Sequence, residues 1–113
     1  MKTRITRDEL KRRLDESLPT LIFEALPEKY YLEAHIPGAR QLDHNDVGPQ
    51  VRAVAPDAHA TIVVYCASMT CRNSDIAAAR LVALGYQDVR VFVEGKQDWL
   101  EAGLPVVRTG KAA

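Results

Sequence analysis

Only two cysteines, Cys66 and Cys71, occur among the 113 residues. Two are too few for the disulfide framework that staples small secreted folds, and too few for an all-cysteine zinc site. The sequence also has no excess charge of either sign: fifteen Lys and Arg balance fifteen Asp and Glu, for a formal net charge of +0. That balance removes the broad cationic surface on which nucleic acid or an anionic membrane is gripped, so neither is an expected partner. Aromatic residues make up 6% of the chain, and Trp99, Tyr30, Tyr31 and Phe92 read as packing groups rather than as a base-stacking platform. No apolar run approaches the roughly 20 residues of a membrane helix. Residues 1–7 lack the apolar stretch of a secretory signal, and the expected location is the cytoplasm. What is present is globular: 47% hydrophobic and 27% charged residues. That composition and length imply one domain over residues 1–113, with a core across about residues 6–107 and a flexible tail at 109–113. The oligomeric state leaves no signature.

Along the chain, apolar runs alternate with helical patterns. Thr6 and Glu9 form a capping box that opens a helix ending near Glu16, with Ile5, Leu10 and Leu14 on its apolar side and Lys11, Arg12 and Arg13 toward solvent. Leu21-Ile22-Phe23 is a short buried strand. Pro27 opens a brief helix to Ala34, residues 36–39 turn the chain, and a second short strand lies near Arg40-Gln41-Leu42. Residues 43–60 read as loop interrupted by a short helix around 50–54. The clearest strand is Thr61-Ile62-Val63-Val64-Tyr65, β-branched and apolar as a strand buried on both faces should be. A helix over residues 74–84 follows, with Gly85 where a C-terminal cap belongs. A strand over 89–93, a turn at Gly95 and a brief helix over 97–101 complete the pattern. Strands alternating with helices specify an α/β class, with a parallel sheet of about five strands covered by helices on both faces.

In such a sheet, ligands collect beyond the carboxyl ends of the strands. Cys66 lies there, directly after residues 61–65 and just before a helix N-terminus, whose free N–H groups stabilise a thiolate and lower its pKa. Such a loop also suits an incoming small anion. On position alone two readings stand level: a nucleophile, or a buried cysteine packed as a small hydrophobe.

Several short motifs then recur in a particular order: His35-Ile36-Pro37-Gly38-Ala39, Val63-Val64-Tyr65-Cys66, a helix around Ala77 and Leu81 leading to Leu84-Gly85-Tyr86, and Gly95…Trp99…Ala102-Gly103-Leu104-Pro105-Val106. In this order and spacing the chain resembles the rhodanese-like family, in particular its small single-domain sulfurtransferases. The resemblance runs from about Thr6 to Val106. It implies that Cys66 takes a sulfane sulfur as a persulfide from a donor such as thiosulfate, and passes it to a thiol or cyanide, with no bound cofactor. Donor and acceptor would then be a small sulfur-containing anion or persulfide and a thiol. The resemblance makes Ala67, Ser68, Met69, Thr70, Cys71 and Arg72 the anion-cradling loop. Three departures bear on preference and rate. The family's Arg falls one residue earlier and its Ala-Ala pair two residues earlier. Glu24-Ala25-Leu26 replaces an Asp-x-Arg element, and Glu94-Gly95 replaces a Gly-Gly pair.

Other readings stay open at this level. Cys66, five residues and Arg72 also match the cysteine phosphatase signature, which arsenate reductases of this fold share, in which an arginine grips an oxyanion bidentately. Against it, no glycine lies between Cys66 and Arg72 to ease a tight loop. A binding or regulatory module with little turnover is a further alternative. Cys71 fits either a resolving thiol for the Cys66 persulfide or an inert neighbour of the helix N-terminus. His35 belongs to the structural turn, and His44 and His59 read as solvated. No ligand spacing among the cysteines and histidines supports a metal site.

Overall fold

The computed structural model describes residues 2–43 and 45–109. His44, and residues 110–113 of the expected tail, lie outside the described residues. Thr109 donates its N–H to the Leu32 carbonyl at 3.0 Å.

Five strands, β1 (Lys2–Arg4), β2 (Leu21–Glu24), β3 (Arg40–Gln41), β4 (Thr61–Tyr65) and β5 (Asp88–Phe92), form one sheet in the order β1-β5-β4-β2-β3. Every neighbouring pair is parallel. The helices are α1 (Arg7–Asp15), α2 (Glu28–Glu33), α3 (Val47–Val54), α4 (Asn73–Ala83) and α5 (Gly95–Glu101). β4 is the middle strand, and its period-two alternation sorts its side chains between two apolar cores. Ile62 and Val64 join Phe23, Val89 and Val91 against Ala77, Ala78 and Leu81 of α4 and Val47 and Val51 of α3. Val63 and Tyr65 join Ile22 and Phe92 against Leu10 of α1 and Trp99 of α5. The sheet is thus covered on both faces, as its all-apolar central strand requires.

Local chemistry explains most element ends. The capping box is present: the Glu9 N–H donates to Thr6 Oγ1, and the Thr6 N–H donates to the Glu9 carboxylate. Ile5 precedes that helix instead of lying on it, and it packs with Leu10 in one core as the hydrophobic staple of the same N-terminus. α4 ends in a Schellman motif. Gly85, at φ +103°, donates to the Val82 carbonyl, and Tyr86 donates to the Leu81 carbonyl.

Two elements depart from the sequence expectation. The helix expected around residues 50–54 begins at Val47, with Gly48 and Pro49 in its first turn. A proline is tolerated there because the first N–H groups of a helix have no intrahelical acceptor. β1 was not expected at all. Lys-Thr-Arg carries no apolar residue, and the strand is held by pairing with β5, Lys2 opposite Val89 through Arg4 opposite Val91.

Candidate active site

β4 delivers Cys66 to the carboxyl end of the middle strand, and α4 starts seven residues later. The residue is 1% exposed. Its thiol donates to the backbone carbonyl of Cys71 at 3.3 Å, and the sulfur lies 3.3 Å from Ser74 Oγ. The Ser74 backbone N–H, in the first turn of α4, also faces the sulfur. These groups pull in opposite directions. Burial pushes the Cys66 thiol up, and the hydrogen bond to Cys71 O adds to that push; the Ser74 donors pull it down. The net direction is up, which corrects the expectation that the helix N-terminus leaves this thiol below its ordinary value. Desolvation, together with a carbonyl aimed at the sulfur, outweighs the two donors.

The loop between Cys66 and α4 is folded by a turn, with the Cys71 N–H donating to Ser68 O at 3.1 Å. Ser68 Oγ and Thr70 Oγ1 bond each other at 3.1 Å, which uses the proton of one of the two hydroxyls within the loop. Met69 projects at the tip and is 63% exposed. Among the described residues, the N–H groups of Ala67, Ser68, Met69 and Thr70 meet no backbone carbonyl. Two of them have a defined direction. The Cys66 and Ala67 carbonyls accept from Lys96 N–H and Gln97 N–H at the start of α5, both at 2.9 Å. In a planar trans peptide the N–H points opposite the carbonyl, so the Ala67 and Ser68 N–H groups point away from α5.

Gly95 makes that clamp possible. Its φ is +72°, and a Cβ there would sit 2.6 Å from Cys66 O and 2.9 Å from Ser68 N. Only glycine fits both the conformation and the space.

Beneath the clamp lies a buried polar network. Lys96 is 9% exposed, and its ammonium donates to Glu24 Oε2 at 2.9 Å, Tyr30 O at 2.8 Å and Ala34 O at 2.7 Å. All three ammonium protons are therefore used. Glu24 is fully buried and accepts at Oε1 from Tyr65 OH at 2.7 Å, and Tyr65 OH accepts from Ile36 N–H at 3.1 Å. Burial, then the Glu24 carboxylate, drive the Tyr65 hydroxyl well above its ordinary value. Glu24 takes its cation from Lys96, 72 residues downstream, in a chain that carries Leu26 two positions on. His35 is buried, stacked on Tyr31 at 3.9 Å between ring centroids, with Nδ1 on Tyr31 O at 2.9 Å.

The loop tip separates two depressions. One, of about 520 Å³, is lined by Cys71, Arg72, Ser74 and Asp75 among others, and Cys66 is not part of its wall. The other, of about 310 Å³, carries Glu94, Asp98 and Glu101 beside Ser68 and Met69. Three of the acidic groups around the tip have cations, Asp75 with Lys2, Glu94 with Arg4 and Asp98 with Arg7, while Glu101 accepts from the Gln97 side-chain amide. Arg72 is exposed and, among the described residues, forms no ion pair.

Of the residues expected at the site, Cys66 and Cys71 are brought together and Arg72 lines the mouth. The Ser68 and Thr70 side chains face each other instead of the sulfur. Ser74, Gly95 and Lys96 were not among the expected site residues. Ser74 stands at the start of the helix that follows the loop, where a side chain can face the sulfur, whereas Lys96 reads in sequence as one more surface charge. Among the described residues no group of three or more His, Cys, Asp or Glu is arranged to hold a metal, and no helix is long and apolar enough to cross a membrane.

The structure is thus an α/β domain with its sheet covered on both faces, a cysteine at the end of the middle strand, and a loop, running into a helix N-terminus, whose amides at 67–70 meet no backbone carbonyl among the described residues. The rhodanese-like domain profile matches residues 6–102, and the chain belongs to that family. It is 34% identical over 93 residues to the thiosulfate sulfurtransferase YnjE of Escherichia coli K12, an alignment covering 71% of this chain and 21% of YnjE. The chain therefore spans about a fifth of that relative's length. Among solved structures, the BH2092 protein of Bacillus halodurans superposes with a TM-score of 0.87 at 20% identity, covering 95% of this chain and 77% of that one. A thiosulfate sulfurtransferase of Pseudomonas aeruginosa gives 0.83 at 22% identity, covering 95% and 20%. At those identities the likeness is one of fold.

Proposed function

We propose that this chain is a sulfurtransferase in which Cys66 carries the sulfane sulfur. The observation that carries the reading is the Cys66 thiol at the end of β4, held by Ser74 and followed by a loop whose amides at 67–70 meet no backbone carbonyl among the described residues. The Cys66 thiolate attacks the outer sulfur of an anionic donor such as thiosulfate; the sulfur–sulfur bond of the donor breaks, sulfite leaves, and a Cys66 persulfide remains. Deprotonation removes the contact to Cys71 O and strengthens the two from Ser74, whose hydroxyl and N–H donate to the sulfur. The amides of residues 67–70 and the Arg72 guanidinium are the donors for the anion. A small thiol or cyanide then takes the outer sulfur and regenerates Cys66. The carbonyl of Cys71 aimed at the sulfur disfavours the rival phosphatase use of the loop, which requires a ring of N–H donors around a resident thiolate.

The test is thiocyanate formation from thiosulfate and cyanide by the wild type and by Cys66→Ser, alongside hydrolysis of an aryl phosphate. Thiocyanate formation is expected to vanish in Cys66→Ser, and thiosulfate-treated wild type, unlike Cys66→Ser, is expected to release sulfite as Cys66 takes up the outer sulfur. Phosphate hydrolysis without any sulfite release would sink the reading.

A further inference from the structure

Resting on the Cys66 persulfide reading, we propose that Cys71 is a resolving thiol that cleaves the persulfide, so that the chain also reduces sulfane sulfur to sulfide. Five positions separate the two residues in sequence, but the turn closed by Cys71 N–H on Ser68 O folds Cys71 back over the strand end. The Cys66 sulfur consequently sits 3.3 Å from the Cys71 carbonyl oxygen. The Cys71 Cα is two bonds from that oxygen, about 2.4 Å away, which puts it within about 6 Å of the Cys66 sulfur. That distance runs from sulfur to Cα; closing a disulfide, whose Cα atoms lie about 4.4–6.8 Å apart, requires the Cys71 side chain and its loop to turn toward the Cys66 sulfur. Neither cysteine is engaged in a disulfide.

The two thiols also differ in access. Cys66 is buried, whereas Cys71 is partly exposed and lines the larger depression beside Arg72 and Ser74. A second, more exposed cysteine whose backbone touches the buried sulfur is placed to intercept the persulfide before an outside acceptor does.

The step balances without any further reactant. The Cys71 thiolate attacks Cys66 Sγ, the bond from Cys66 Sγ to the outer sulfur breaks, and the outer sulfur departs with its proton as hydrosulfide. The two cysteines are left as a disulfide. Two electrons pass from the thiol pair to the sulfane sulfur, which is reduced to sulfide. An external dithiol reopens the disulfide by exchange and returns the enzyme to its starting state.

The test loads the full chain with thiosulfate, without added thiol and under anaerobic conditions, and follows sulfide release together with a non-reducing peptide map. The wild type is expected to release one sulfide per chain and to show a Cys66–Cys71 disulfide. Cys71→Ser is expected to keep its sulfur on Cys66 and to release sulfide slower by something on the order of a hundredfold, the advantage of a tethered attacking group. The wild-type map stands by itself should the variant fold poorly. Persulfide on Cys66 with equal lifetime in both proteins would overturn the resolving role and leave the sulfurtransferase reading intact. Sulfur found on Cys71 with no disulfide would overturn it in favour of a relay between the two residues. No sulfur on Cys66 in either protein would remove the sulfurtransferase reading and this proposal with it.

Discussion

The loop from Cys66 to Arg72 and the network of Glu24, Tyr65 and Lys96 lie on either side of one backbone clamp, and they are built on opposite plans. The network is buried, saturates every ammonium proton of Lys96, and joins β2, β4 and the end of α2 to the start of α5. The loop keeps four amides that meet no backbone carbonyl among the described residues, exposes Met69, and is held at its near end by two hydrogen bonds to α5. The difference separates what fixes the position of the sulfur from what is free to meet a ligand. The frame removes choice from the strand end, and the loop retains polar groups that solvent or a bound molecule can satisfy.

The largest effect should come from breaking the frame. Lys96→Met leaves the Glu24 carboxylate buried without its cation, and roughly 3–5 kcal/mol of stability should be lost in urea unfolding. Adding Glu24→Gln to Lys96→Met should cost less than the sum of the two single changes, because the pair acts as a unit. An additive double variant would show that the frame is not cooperative. Gly95→Ala strikes the junction between the two regions. The positive φ alone should cost about 1–3 kcal/mol. The clash with Cys66 O and Ser68 N should displace the loop, so that sulfur loading falls further than stability does. Loading unchanged at a lowered melting temperature would mean that the clamp positions nothing. The smallest effect is a matter of pH. Because burial and the Cys71 carbonyl favour the protonated Cys66 thiol, alkylation of Cys66 by iodoacetamide should rise with pH and reach its midpoint above the ordinary thiol value. The same preference stabilises the fold below that ordinary value and is lost as pH rises through the higher value of the folded state. A midpoint below an ordinary cysteine's, by mass-resolved labelling, would contradict the geometry of the resting loop.

Much of this was legible in the residues. The all-apolar β4, the capping box at Thr6 and Glu9, and the cap at Gly85 are local devices whose chemistry is complete within a few positions, and each forms where its sequence says. The cysteine at the strand end followed from the same logic. What was not legible depends on partners far along the chain. β1 has no pattern of its own and exists because β5 offers it an edge. Lys96 and Glu24 are 72 residues apart, and no periodicity announces that a lysine will be buried among two carbonyls and a carboxylate. The sense of the Cys66 shift was missed for a related reason. The sequence placed the helix N-terminus beside the sulfur, but the direction in which the Cys71 carbonyl points is a property of the folded loop.

The three cations that match the acidic groups around the loop tip, Lys2, Arg4 and Arg7, all come from the first seven residues. Glu94, whose Oε1 has no hydrogen-bond partner among the described residues, is matched by Arg4. The electrostatic climate of the mouth is therefore decided at the outer edge of the sheet. While β1 stays seated on β5, an anion approaching Arg72 meets neutralised neighbours. With β1 detached, Asp75 and Glu94 would lose their cations, while Asp98 would keep Arg7 of α1. A strand too polar to contribute to either core thereby sets the charge on both sides of the loop tip.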